Sequence, residues 1–217
     1  YYYLQQTHKQ TLRIMTTPAT YVATANVAKF LGQEVSFADI DIDSYCLSPL
    51  SVRDSKDDFD VLSLVHLYGN AADVELFQKF NPDKVIVEDC AQAFGTRIGG
   101  KHVGTTSFGC YSMFPTKNLS CAGDGGFILC QKDAYESLIR LRDNGRFFSM
   151  DVGIASGNFR LSEMQAAVAR EQLKKVPNQI ARRHEIALKY NDAFTDLPGV
   201  SIPKYADNVE PSWHLYC

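Results

Sequence analysis

A short, almost wholly apolar run, Val85-Ile86-Val87, ends directly on two carboxylic acids, Glu88 and Asp89. Such a run is typical of a strand that is buried on both faces, as strands in parallel sheets are. A second β-branched and apolar run spans residues 61–69 and closes at Gly69, and segments with helical patterning separate the strand-like runs. The alternation predicts an α/β domain with a mainly parallel sheet flanked by helices.

The remaining elements follow from patterning and from breaker residues. Further strands are predicted at 34–40, 108–114 and 123–130, and helices at 21–31, 72–80, 135–145 and about 179–194. Ser162 and Gln165 match a capping box that opens one more helix, and Pro177 is expected to end it. The glycine-rich stretch 95–105 predicts a hairpin or an irregular loop. We divide the chain into a large domain, 1–177, and a linking helix with the start of a small α+β C-terminal domain, 178–217.

Composition excludes several classes of protein. The net charge is -3 and the sequence has no cluster of basic residues, so it gives no indication of a nucleic-acid-binding surface. No apolar run reaches the roughly 18 residues of a membrane span. The six cysteines form no CxxC pair, which is typical of reduced core thiols in a cytoplasmic protein. The chain opens without Met and stops in the strand-like run 213–217, so we expect a fragment of a longer polypeptide.

Two strand ends carry the candidate chemistry. Taken alone, Glu88 and Asp89 fit a helix cap or a loop salt bridge, and Lys117, after the strand 108–114, fits a solvated loop. Taken together, they can face one crevice at the carboxyl ends of the strands, where ligands of α/β sheets bind. Pyridoxal phosphate needs such a pair, because a lysine amine condenses with its aldehyde and a buried carboxylate keeps its pyridine nitrogen protonated.

Several ordered blocks carry a family resemblance from about Thr17 to about Tyr190. They read TPATYVATANVAKFLGQEVSFADIDID, VHLYGNAADVE, VIVEDCAQAFGTRIGGKHVG, FGCYSMFPTKNLSCAGDGGFILC, RLRDNG and NFRLSEMQAAVAREQL. This series resembles the DegT/StrS-type sugar aminotransferases. The resemblance implies the large domain of a fold-type-I pyridoxal-phosphate aminotransferase that works as a homodimer.

The resemblance also implies roles for residues around the pyridine ring. Lys117, in PTKNL, would form the Schiff base and later move the proton. Asp89, in EDCAQ, would pair with the ring nitrogen, and Gln92 would hydrogen-bond the phenolic oxygen. Phe94 stands where many members have His, so no role is carried over to it.

Three further residues match the family's cofactor-binding positions. Ser112 would bind the phosphate through its hydroxyl, and Tyr21 would stack on the ring. Asn158 would reach the phosphate from the partner subunit. The family's Gly-Thr phosphate-binding turn has no counterpart in these residues, so we expect the isolated chain to bind the cofactor weakly.

The activity implied is transfer of an amino group from an amino acid, with glutamate expected, to the keto group of a nucleotide-linked sugar for polysaccharide biosynthesis. One alternative is a related deoxysugar dehydratase, which Lys117 disfavours because such relatives usually carry His there. Another is a non-catalytic regulator that kept the fold. His66, Trp213 and His214 are expected to serve packing.

Overall fold

The computed structural model describes residues 1–146 and 151–217. The strands in these ranges are β1 (Arg13–Thr16), β2 (Glu34–Phe37), β3 (Val61–Val65), β4 (Val85–Asp89), β5 (Arg97–Ile98), β6 (Lys101–His102), β7 (Phe108–Ser112), β8 (Gly126–Leu129) and β9 (Val209–Glu210). The main sheet has the order β2-β1-β3-β4-β7-β8. Its first five members pair in parallel, and β8 pairs with β7 in antiparallel fashion. The prediction of a mainly parallel α/β sheet is confirmed.

Helices cover the sheet. They are α1 (Tyr2–His8), α2 (Ala23–Phe30), α3 (Pro49–Asp54), α4 (Val74–Phe80), α5 (Lys132–Arg142), α6 (Glu163–Leu173) and α7 (Val176–Phe194), with a short 3-10 helix at Leu67–Gly69. Side chains of a strand alternate between the two faces of its sheet. Accordingly, Leu62 of β3 joins a core cluster with residues of α3 and α4, whereas Val61 joins a cluster with residues of α1 and α2.

The first residues of α6 and α7 determine where these two helices begin. Ser162 caps α6 by accepting a hydrogen bond from the amide of Gln165, as predicted. The expected helix break lies just before Pro177, since α6 ends at Leu173 and α7 begins at Val176 with the proline in its first turn. A first-turn proline costs no hydrogen bond, because amides there have no partner within the helix.

The C-terminal tail packs against the turn that follows β3. A second sheet has the order β6-β5-β9, which confirms the hairpin prediction and attaches the tail to it. The amide of Ser212 and the hydroxyl of Thr96 both donate to the carbonyl of Gly69, at 3.1 and 2.8 Å. A Cβ at Gly69 would lie 2.7 Å from the amide nitrogen of His214, and its φ of 94° also favours glycine.

Residues 213–217, which we predicted as part of a strand, are not in one. Trp213 has a φ of 50°, in the left-handed region, which turns the chain away from an extended path. The amide of Leu215 instead donates to the carbonyl of Tyr68. The domain boundary after residue 177 stays a prediction. In the two described ranges, no helix is both long and apolar enough to cross a membrane.

Replacing Phe77 by Ala should destabilise the domain by about 3–5 kcal/mol, because Phe77 is fully buried in α4 and its loss opens a cavity. Phe80→Ala is the matched control, since Phe80 is on the same helix and is 39% exposed. Urea unfolding followed by circular dichroism measures both free energies. Equal losses for the two variants would contradict this account of the core.

Candidate active site

The carboxylate of Asp89 stands at the carboxyl end of β4 and is oriented by two donors. Its Oδ2 accepts a hydrogen bond from the hydroxyl of Thr24 at 2.8 Å, and its Oδ1 accepts one from the amide of Ala91 at 3.1 Å. Thr24 is buried in the first turn of α2. The hydrogen bond from Thr24 therefore ties the carboxylate of Asp89 to α2, and the two donors together fix its orientation.

Lys117 lies in the turn that follows β7, the parallel neighbour of β4. Its amide donates to the carbonyl of Phe114 at 2.9 Å, and its side chain is half-buried. Burial lowers the pKa of the Lys117 amine, and the nearby charge of Asp89 opposes this by raising it. The charge of Asp89 therefore acts on the amine of Lys117 from the end of the neighbouring strand. A lowered pKa enlarges the neutral fraction of the amine, which is the nucleophilic form.

The side-chain amide of Gln92 has a defined orientation. Its Oε1 accepts a hydrogen bond from the amide of Tyr68 at 3.0 Å. A backbone N–H only donates, so the oxygen of the side chain must face Tyr68 and the NH₂ group must face away from it. Gln92 therefore presents donors to the space beside it.

Ser112 ends β7 opposite Gly126 of β8. Its Oγ accepts a hydrogen bond from the amide of Phe114 at 3.3 Å, which leaves the hydroxyl proton available to a further acceptor. Ser112 and Lys117 thus lie on one turn, both bonded through Phe114.

The last two predicted residues are exposed. Tyr21 is 70% exposed directly before α2, and its carbonyl accepts from the amide of Thr24, the residue that holds Asp89. Asn158 accepts from the amide of Arg160 at 3.2 Å. Within the described ranges, no hydrogen bond or ion pair joins Asn158 to Asp89 or to Lys117.

Two residues near the site were not predicted to take part. Thr24 carries no sequence signal beyond its place at a helix start. His214 is buried, and its Nδ1 has no hydrogen-bond partner in the described structure. Burial, together with the positive charges of Lys117 and Arg183, lowers the pKa of His214 to about 4. The imidazole of His214 is therefore neutral at physiological pH.

These groups fit pyridoxal phosphate by their chemistry. The site offers the carboxylate of Asp89 for a protonated ring nitrogen, and the outward NH₂ of Gln92 for a phenolic oxygen. The hydroxyl of Ser112 suits a phosphate, and the amine of Lys117 suits an aldehyde. No hydrogen bond or ion pair within the described chain occupies that amine, so it is available to a ligand.

Comparison with known proteins places the chain in a family. The model of the DegT/DnrJ/EryC1/StrS aminotransferase family matches residues 4–217. A dTDP-3-amino-3,4,6-trideoxy-alpha-D-glucose transaminase of Streptomyces venezuelae is 37% identical over 156 residues, which are 70% of this chain and 41% of that protein. A UDP-4-amino-4,6-dideoxy-N-acetyl-beta-L-altrosamine transaminase of Campylobacter jejuni is 30% identical over 216 residues, 94% of this chain and 57% of that protein.

The fold agrees with a solved structure. The crystal structure of S. venezuelae DesV, in complex with a ketimine intermediate, superposes with a TM-score of 0.93 at 31% identity, covering 99% of this chain and 60% of that one. The chain spans about half the length of the curated relatives that it matches. On the match of the family model to residues 4–217, this chain belongs to the DegT/DnrJ/EryC1/StrS aminotransferase family.

Proposed function

We propose that the protein carrying this chain transfers an amino group from an amino acid, with glutamate as donor, to a keto group of a nucleotide-linked sugar. The observation that carries the proposal is the placement of Asp89 at the end of β4 and of Lys117 in the turn after β7, the parallel neighbour of β4. The names of its relatives support the substrate class, since both transaminases above act on nucleotide-linked amino sugars.

Each residue of the site takes one role around pyridoxal phosphate. When bound, the cofactor supplies an aldehyde for condensation with amines and a protonated ring that withdraws electrons. Lys117 provides the attachment point and afterwards holds and returns the proton. Asp89 keeps the ring nitrogen protonated, because its negative charge favours the charged form of that nitrogen.

The remaining contacts anchor and orient the ring. The NH₂ of Gln92 donates to the phenolic oxygen, and Ser112 donates its hydroxyl to the phosphate. Tyr21 offers an exposed aromatic face before α2 for stacking. Thr24 and the amide of Ala91 hold Asp89, so the carboxylate stays in place while protons move at Lys117.

The active unit in this proposal is a homodimer in the cytoplasm. Asn158 is exposed, which suits a side chain that serves the phosphate of the neighbouring subunit. The six cysteines are free thiols, which suits a reducing compartment.

Lys117→Ala should abolish covalent attachment of the cofactor and transamination, because only a primary amine at this position can condense with the aldehyde. Borohydride reduction followed by mass spectrometry detects the attachment, and a screen of nucleotide ketosugars with glutamate measures turnover. The control is Lys79→Ala, which removes an exposed lysine on α4. Normal turnover in the Lys117 variant would refute the assignment.

Asp89→Asn should lower the pKa of Lys117 further in the apoprotein, because Asp89 raises that pKa while burial lowers it. Competitive acylation of lysines as a function of pH, read by mass spectrometry, gives the midpoint. In the wild type, Lys117 should react at lower pH than a free lysine side chain, because burial lowers its pKa. Asp83→Asn, an exposed change, should leave the midpoint in place. An unchanged midpoint in the Asp89 variant would show that the two groups do not interact.

Mixing Lys117→Ala subunits with Asn158→Ala subunits should recover activity that neither variant has alone. Random pairing in a two-fold dimer makes half of the dimers hybrid, and each hybrid has one undamaged site, so about a quarter of wild-type turnover is expected. If Asn158 served its own subunit, every hybrid site would lack one residue and no activity would return.

A further inference from the structure

The carboxylate of Glu88, which the proposed reaction does not use, is fully buried beside Asp89. Adjacent residues of a strand face opposite sides, so Glu88 points away from the face that Asp89 serves. Three donors surround it: Nε2 of His66 at 3.0 Å, and the amides of Gly104 and Thr106 at 2.6 and 3.3 Å. Burial opposes ionisation, but these hydrogen bonds outweigh it and hold the pKa of Glu88 below its usual range.

The ring of His66 is held in one tautomer. Its Nδ1 accepts a hydrogen bond from the amide of Ala72 at 3.0 Å and therefore carries no proton. The ring proton is then on Nε2, which donates it to Glu88. Both nitrogens have partners, so His66 forms a rigid link from β4 to the turn after β3.

The main chain of this turn bonds to two of the proposed cofactor ligands, Asp89 and Gln92. The amide of His66 donates to the carbonyl of Asp89 at 3.0 Å, and the amide of Tyr68 donates to Oε1 of Gln92. Tyr68 has a φ of 59°, a left-handed conformation that is uncommon for a residue with a large side chain. Such a conformation persists only where the surroundings hold it.

We propose that Glu88 and His66 form a positioning pair that holds the turn at Tyr68 and so keeps the NH₂ of Gln92 directed at the phenolic oxygen of the cofactor. The pair touches no cofactor atom and acts through the backbone of the turn. This inference rests on the proposed function, because the role of Gln92 is assigned there.

A metal site is the competing explanation for the same cluster. Ligand atoms of His66, Glu88 and Cys90 lie within 4.8 Å of one another. Both His66 nitrogens already have partners, and Glu88 accepts from backbone amides. Burial and neighbouring carboxylates raise the pKa of Cys90 well above its usual value, which keeps the thiol protonated and a poor ligand. The contacts therefore favour a hydrogen-bonded pair over a cation site.

Glu88→Gln tests the pair in the full-length protein. An amide has one acceptor oxygen, and its NH₂ would meet a donor, so the three donors cannot all be satisfied. We expect about tenfold weaker binding of pyridoxal phosphate and faster hydrogen exchange at the Tyr68 amide in the apoprotein. Glu75→Gln, an exposed change on α4, should alter neither quantity.

An analogue of the cofactor without the phenolic oxygen separates positioning from general loss of structure. The wild type should prefer pyridoxal phosphate to 3-deoxypyridoxal phosphate, because Gln92 donates to the missing oxygen. The Glu88→Gln variant should lose most of this preference. An equal drop in affinity for both compounds would show a merely structural role and overturn the proposal.

His66 provides a second pair of variants if Glu88→Gln does not fold. His66→Gln keeps a donor near the position of Nε2 and should retain the preference to within about twofold, whereas His66→Leu removes the donor and should lose it. Identical behaviour of the two variants would overturn the proposal. If the wild type did not bind the cofactor, the proposed function would be wrong instead. Hydrogen exchange at the Tyr68 amide would then still show whether Glu88 and His66 hold the turn.

Discussion

The parallel pairing of β4 with β7 is the constraint on which the site depends. Asp89 stands beside Cys110 in this register, so the end of β4 and the turn after β7 meet at one edge of the sheet. A shift of one residue would move Asp89 to the other face of the sheet and put Glu88 in its place. The two adjacent carboxylates are not interchangeable, because Glu88 accepts from His66 and from the amides of Gly104 and Thr106, whereas Asp89 accepts from Thr24 and the amide of Ala91.

Much of the fold could be predicted because strong local signals coincide with buried positions. All five residues of β3 are buried, and its apolar run was recognisable for that reason. The short helices α1 and α3, of seven and six residues, were missed because so few residues show no clear period. The tail was misjudged because its apolar side chains suited a strand, while the left-handed backbone of Trp213 depends on contacts with distant residues.

Residues of the candidate site could be predicted from the sequence only where the type of side chain itself indicates a chemical role. Asp89 and Lys117 were predicted from their places after strands and from the family resemblance, and the structure places them at the ends of the neighbouring strands β4 and β7. The hydroxyl that holds Asp89 comes from Thr24, 65 residues away, and the group that orients Gln92 is a backbone amide. A backbone amide is present at nearly every position, so no residue pattern identifies the one that matters. The roles of all six predicted site residues stay predictions: Lys117, Asp89, Gln92, Ser112, Tyr21 and Asn158.

Because the tail packs against the turn at Gly69, this turn can reach its final structure only after the tail has been synthesised. Thr96 and Ser212 are 116 residues apart in sequence. Both donate hydrogen bonds to the carbonyl of Gly69, and their hydroxyls bond to each other. A ribosome adds about 5–20 residues per second, so the sheet can pair for several seconds before the tail emerges. During that interval the turn lacks its last partners, and contacts between such distant residues form slowly. The turn at Gly69 is therefore completed after the sheet that carries it.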